Sequence, residues 1–81
     1  MYYTYMVRCA DDSLYTGWTV DIEKRLKAHN EGRGAKYTRA RRPVVIAWVQ
    51  SFPTKQLAMQ WEWKIKHFTK EEKERLCTMQ K

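Results

Sequence analysis

The stretch Y-T-Y-M-V-R-C-A-D-D-S-L-Y-T-G-W-T-V-D-I-E-K-R, residues 3–25, decides how this chain folds. Residues 2–9 and 14–19 are rich in aromatic and β-compatible types and show no helical period, so each predicts a strand. Ala10-Asp11-Asp12-Ser13 between them is turn chemistry, because Asp and Ser side chains bond their own backbone. The pair therefore predicts an antiparallel hairpin that brings Tyr5 close to Tyr15. Gly17 inside the second strand marks a bulge or a close backbone approach. Both readings suit a place where a phosphate must come near. Thr19 or Asp21 caps a helix over 21–31, with Ile22, Leu26 and His29 on one face. Arg25 borders that face, so the first turns of the helix carry a guanidinium up beside the two phenols. Asn30 and Gly32 end the helix.

Working outward, residues 32–43 form a basic loop broken by two Gly and one Pro. Arg33, Lys36, Arg39, Arg41 and Arg42 lie in it, with Lys27 just upstream. Tyr37 is interleaved, and an aromatic among cations can stack on a base or ribose. Lys36, Tyr37, Arg39, Arg41, Arg42 and the open backbone at Gly17 are the candidate nucleic-acid contacts. Residues 44–51 are a nearly continuous apolar run between Pro43 and Pro53, which predicts a buried strand at the centre of the sheet. Thr54 caps a helix over about 54–67 with Leu57, Trp61, Ile65 and Phe68 on one face, and Glu62 at the edge of that stripe. Thr69 and Glu72 frame a capping box ahead of a last helix over about 70–77. The predicted architecture is α+β, a three-stranded antiparallel sheet flanked by helices in the order β-β-α-β-α-α.

The 81 residues suffice for one domain, expected over 1–81, and the four Trp, five Tyr and two Phe supply large core pieces. The formal charge of +7 points to an anionic partner, nucleic acid ahead of a merely solvated basic surface. Cys9 and Cys77 are too few and too far apart for a disulfide scaffold or a zinc site, so reduced thiols in the cytoplasm are expected. The N-terminus does not read as a signal peptide, and no apolar stretch approaches membrane-spanning length, so no membrane partner is expected.

Hydrolysis of a phosphodiester needs a group to orient or deprotonate water, a cation against the phosphoryl charge, and something to stabilise the leaving oxygen. Arg suits the second task because it stays protonated and forks onto phosphate. A divalent metal held by a carboxylate suits the third, and Mg²⁺ commonly needs only one or two carboxylates. A phenol suits the first where cations lower its pKa from about 10. Tyr5, Tyr15, Arg25, His29 and Glu62 are the candidates. Each has a structural alternative: the tyrosines as strand core, Arg25 and Glu62 as an ion pair, and His29 as a helix C-terminal residue favoured by the dipole.

The pattern resembles the GIY-YIG endonuclease superfamily, in particular its small single-domain bacterial branch. Tyr3-Thr4-Tyr5 stands where the first triplet belongs and Tyr15-Thr16-Gly17 where the second does. Arg25 and His29 follow at the spacing of the family's first helix, and Ala58-Met59-Gln60-Trp61-Glu62-Trp63 resembles the segment carrying its metal-binding Glu. The resemblance implies that Tyr15, with Tyr5 and His29 nearby, orients or deprotonates water. It implies that Arg25 stabilises phosphoryl charge and that Glu62 holds one divalent cation, Mg²⁺ or Mn²⁺. It further implies DNA as substrate, a role in repair or recombination, and a possible protein partner supplying specificity. Tyr3 stands where the family has Gly, there is no Asn after Asn30, and no separate DNA-binding domain is seen. Two other readings remain: a non-catalytic nucleic-acid-binding module using residues 33–42, and a protein-interaction adaptor using exposed aromatics.

Overall fold

The hairpin forms as its residues predict. In a computed structural model that describes residues 1–80, β1 (Tyr2–Arg8) pairs antiparallel with β2 (Leu14–Thr19), placing Tyr5 opposite Gly17 and Val7 opposite Tyr15. The turn is closed by Asp11, which accepts from the Ser13 backbone N–H and hydroxyl, while Asp12 takes the left-handed conformation at φ 70°. Helix α1 (Ile22–Asn30) follows, and Asp21, not Thr19, is its cap, accepting from Lys24 N–H at 3.0 Å. A single-turn helix α2 (Lys36–Arg39) interrupts the predicted loop. Then come β3 (Val45–Phe52), α3 (Lys55–Lys66) and α4 (Lys70–Met79), the last two capped by Thr54 and by the predicted Thr69–Glu72 box.

The sheet is three-stranded and antiparallel, as predicted, but its order is β2-β1-β3. The apolar run near 44–51 is therefore an edge strand, and the central one is β1. Continuous hydrophobicity suggests a strand covered on both faces, but within β3 only Trp48 is buried, and the pattern carries no information about hydrogen-bond order. The strand buried on both faces is β1, with Thr4, Tyr5, Met6 and Val7 all buried, whereas Val45 at the start of β3 is 60% exposed. Part of the free β3 edge is occupied by the Gln80 side-chain amide, which bonds both the N–H and the carbonyl of Val49.

Alternation along β1 divides the core in two. Met6, Leu14, Trp48, Ile65 and Cys77 pack on one face, under α3 and α4. Tyr5, Val7, Cys9 and Val44 pack on the other, with Tyr15 and with Ile22 and Leu26 of α1. The α3 stripe is rotated slightly from the predicted one: Ala58 and Ile65 are buried, Trp61 and Phe68 pack beside them, and Leu57 is exposed. Arg8 forks onto Glu74 through its Nη1 and Nη2 at 2.8 and 2.6 Å, tying β1 to α4. No helix among the described residues is long and apolar enough to cross a membrane.

Candidate active site

The site begins at the Tyr5–Gly17 pair. A Cβ on Gly17 would lie 2.6 Å from the Tyr5 hydroxyl, so the glycine is what lets the phenol lie across β2. The β1–β2 pairing runs through Gly17 without a register shift, so of its two readings the structure shows the close approach; the shift lies between Met6 and Val7 on the β3 side. What closes on Gly17 is the Tyr5 ring.

From there a chain of hydrogen bonds runs through the α1 face of the sheet. The Tyr5 hydroxyl meets His29 Nε2 at 2.8 Å, and His29 Nδ1 meets the Thr38 hydroxyl at 2.8 Å. The Thr38 hydroxyl donates its proton to the Ala35 carbonyl at 3.1 Å, so toward His29 it can only accept. That assigns the proton to Nδ1 and leaves Nε2 as the acceptor for the Tyr5 O–H. Arg25 Nε donates to the same phenol oxygen at 3.3 Å, and its Nη2 donates to the Gly34 carbonyl at 3.0 Å. Gly34 also makes room for the imidazole, since a Cβ there would lie 2.2 Å from His29 Nδ1.

Burial and the neighbouring Arg25 charge hold the His29 pKa below its usual value. The ring is fully buried, with both nitrogens bonded to side chains. Burial pushes the Tyr5 phenol up, an effect opposed by the Arg25 hydrogen bond and charge. Both groups are thus neutral near pH 7, with a basic lone pair aimed at a phenolic proton.

Tyr15 is half-buried. Its ring meets His29 edge-on at 5.5 Å and stacks on Tyr37 at 5.8 Å and 23°. Glu62 comes from α3, whose buried residues lie on the other face of the sheet, so the site straddles the β2 edge. Its half-buried carboxylate pairs with Lys66 at 3.5 Å, not with Arg25, and its charge is felt at Tyr5. Lys66 Nζ in turn lies 6.0 Å from the Tyr15 ring centre. The predicted catalytic residues are therefore brought together.

The basic segment divides. Tyr37 joins the site through Tyr15. Arg41 sits 4.0 Å over the Tyr37 ring, donates to its carbonyl and pairs with Asp11 at 3.0 Å. Arg42 donates to the Arg39 and Asn30 carbonyls. Lys36 and Arg39 are exposed and make no ion pair among the described residues. Sequence reading missed Thr38 and Gly34. A Thr nine residues beyond a His has no fixed relation to it until α2 turns back over α1.

Among the described residues no three His, Cys, Asp or Glu side chains cluster as a metal cage. Glu62 offers one half-buried carboxylate whose charge is felt at Tyr5, a hard oxygen donor that suits Mg²⁺ or Mn²⁺ completed by water and substrate phosphate.

The GIY-YIG catalytic domain model matches residues 1–75. The UPF0213 protein of Bacillus velezensis is 55% identical over 73 residues, 90% of this chain and 74% of the relative. A UPF0213 protein of Haloquadratum walsbyi is 48% identical over 76 residues, 94% of this chain and 85% of that protein. The solution NMR structure of a UPF0213 protein from Bacillus halodurans superposes with a TM-score of 0.63 at 44% identity, covering 98% of this chain and 85% of that one. A match over nearly the whole length, on a chain whose two triplets and α1 arginine meet around one phenol, means that the protein belongs to the GIY-YIG nuclease family and shares its fold with the small UPF0213 proteins.

Proposed function

We propose that this protein is a metal-dependent endonuclease that hydrolyses phosphodiester bonds in DNA. The observation that carries the reading is the Tyr5–His29–Arg25 cluster, a neutral base and a fixed cation sharing one phenol beside the accessible Tyr15. Tyr15 orients the attacking water, and the proton that water loses is taken up at the Tyr5 oxygen as Tyr5 passes its own proton to His29 Nε2. Arg25, anchored on Gly34, meets the charge gathering on the phosphoryl oxygens. Glu62 holds one Mg²⁺ or Mn²⁺, whose chemistry is to offset charge on the leaving oxygen. Lys36, Arg39 and Tyr37 grip the strand that enters past Tyr15, while Arg41 and Arg42 order the segment that presents them. The biological setting is repair or recombination of DNA in the cytoplasm, with a protein partner adding specificity.

A cleavage assay tests this. Labelled duplex, single-stranded and branched DNA are incubated in Mg²⁺, Mn²⁺ or chelator with the wild type and with Tyr15→Phe, Arg25→Ala and Glu62→Gln. Metal-dependent cutting by the wild type, lost in all three variants, is expected. Binding that is intact and salt-sensitive, with no cutting on any substrate, would overturn the reading in favour of a non-catalytic binding module.

A further inference from the structure

The outward side of α3 takes no part in that chemistry, yet it carries costly groups. Trp63 is 64% exposed, directly after Glu62 in the helix. That is far more open than tryptophan is on average. Its ring is held in place by His67, whose ring centre is 4.2 Å away and whose Nδ1 bonds the Trp63 carbonyl at 2.7 Å. Holding the ring in advance lowers the entropy lost when a flat ligand stacks on it. Two further indoles lie under cations of the same helix: Lys55 Nζ is 5.3 Å from the Trp18 ring of β2, and Lys64 Nζ 4.9 Å from the ring of Trp61, which packs against the core. Lys66, three residues beyond Trp63, reaches toward Tyr15.

Flat aromatic faces interleaved with ammonium groups, on a chain of charge +7, match a ligand that is itself flat and polyanionic. An apolar protein partner would desolvate those ammonium groups, of which Lys66 alone makes an ion pair among the described residues. We infer that Trp63, with Lys66 one turn along the helix, is a stacking platform for unpaired bases, so that the preferred substrate is DNA in which single-stranded nucleotides adjoin the duplex. The inference rests on the nuclease reading for its place in a reaction, but the stacking itself does not.

Binding measured in chelator separates the two. Fluorescence anisotropy is read with labelled oligothymidylate, with an abasic oligomer of equal charge and with a blunt duplex, for wild type, Trp63→Ala and Trp63→Phe. Stacking worth about 1–3 kcal/mol per base predicts a loss of at least roughly fivefold on oligothymidylate for Trp63→Ala. Recovery is expected in Trp63→Phe, with no change on the duplex. The wild type should bind the abasic oligomer more weakly than oligothymidylate. Equal binding of the two oligomers, or of wild type and Trp63→Ala on oligothymidylate, or an equal loss on oligothymidylate and duplex, overturns the platform. If wild type cuts no DNA while these differences hold, the nuclease reading falls and the platform stands.

Discussion

At the residue scale the site depends on where one proton sits. Thr38 accepts from His29 Nδ1 only because its own proton goes to Ala35. Thr38→Val removes the acceptor and leaves a buried N–H unpaired, at a cost of about 1–3 kcal/mol. A lower melting temperature and a large loss of cleavage are expected, with Thr38→Ser restoring both. A merely space-filling role would be served by Val as well as by Ser, so rescue by Ser alone marks a positioning role. His29 also sets an acid limit. Its folded pKa lies below its usual value, so the fold favours the neutral ring. Its stabilising contribution is full above about pH 6.5 and is lost as pH falls toward the folded pKa. Thermal melts between about pH 7.5 and pH 5 should show a drop that is shallower in His29→Gln. Equal slopes would mean that His29 carries no such penalty. None of this proton arrangement is legible in the sequence, because Thr38, Ala35 and Gly34 reach His29 only through the return of α2 over α1.

At the scale of elements, local chemistry was mostly legible because caps and turns act over a few residues. Asp11 and Ser13 close the hairpin, Thr69 and Glu72 form their box, and Thr54 caps α3. The choice between Thr19 and Asp21 went to Asp21, whose carboxylate also sits at the positive end of α1. Asp21→Ala should cost about 1 kcal/mol, seen as a drop in melting temperature of several degrees. Because α1 holds both Arg25 and His29, cleavage by this variant should fail at a lower temperature than in wild type, with little change at low temperature. A stability loss within error would show that the cap contributes nothing. The one-turn α2 escaped notice because Lys36–Arg39 is too short to show a period. The place of β3 was misread because its apolar run says nothing about which strand lies beside it.

At the scale of the molecule the charge of +7 is the leading fact. The logarithm of affinity for duplex DNA should fall linearly against the logarithm of salt concentration. Lys36→Ala and Arg39→Ala should each reduce that slope by about one, whereas loss of a cation already committed to the protein, such as Arg41, should change it less. Equal changes from all three would remove the division drawn within the basic segment. What the sequence by itself determined was the hairpin, the helix caps, the basic segment and the family, all carried by neighbours in the chain or by short motifs at fixed spacing. What only the tertiary structure decided was that β1 lies at the centre, that the Glu62 charge is felt at Tyr5 from a helix on the other face of the sheet, and that Thr38 and Gly34 hold His29. Those are contacts between segments distant in the chain, and strand order, packing angle and side-chain direction settle them together, because each group is placed by the whole core rather than by its own neighbours.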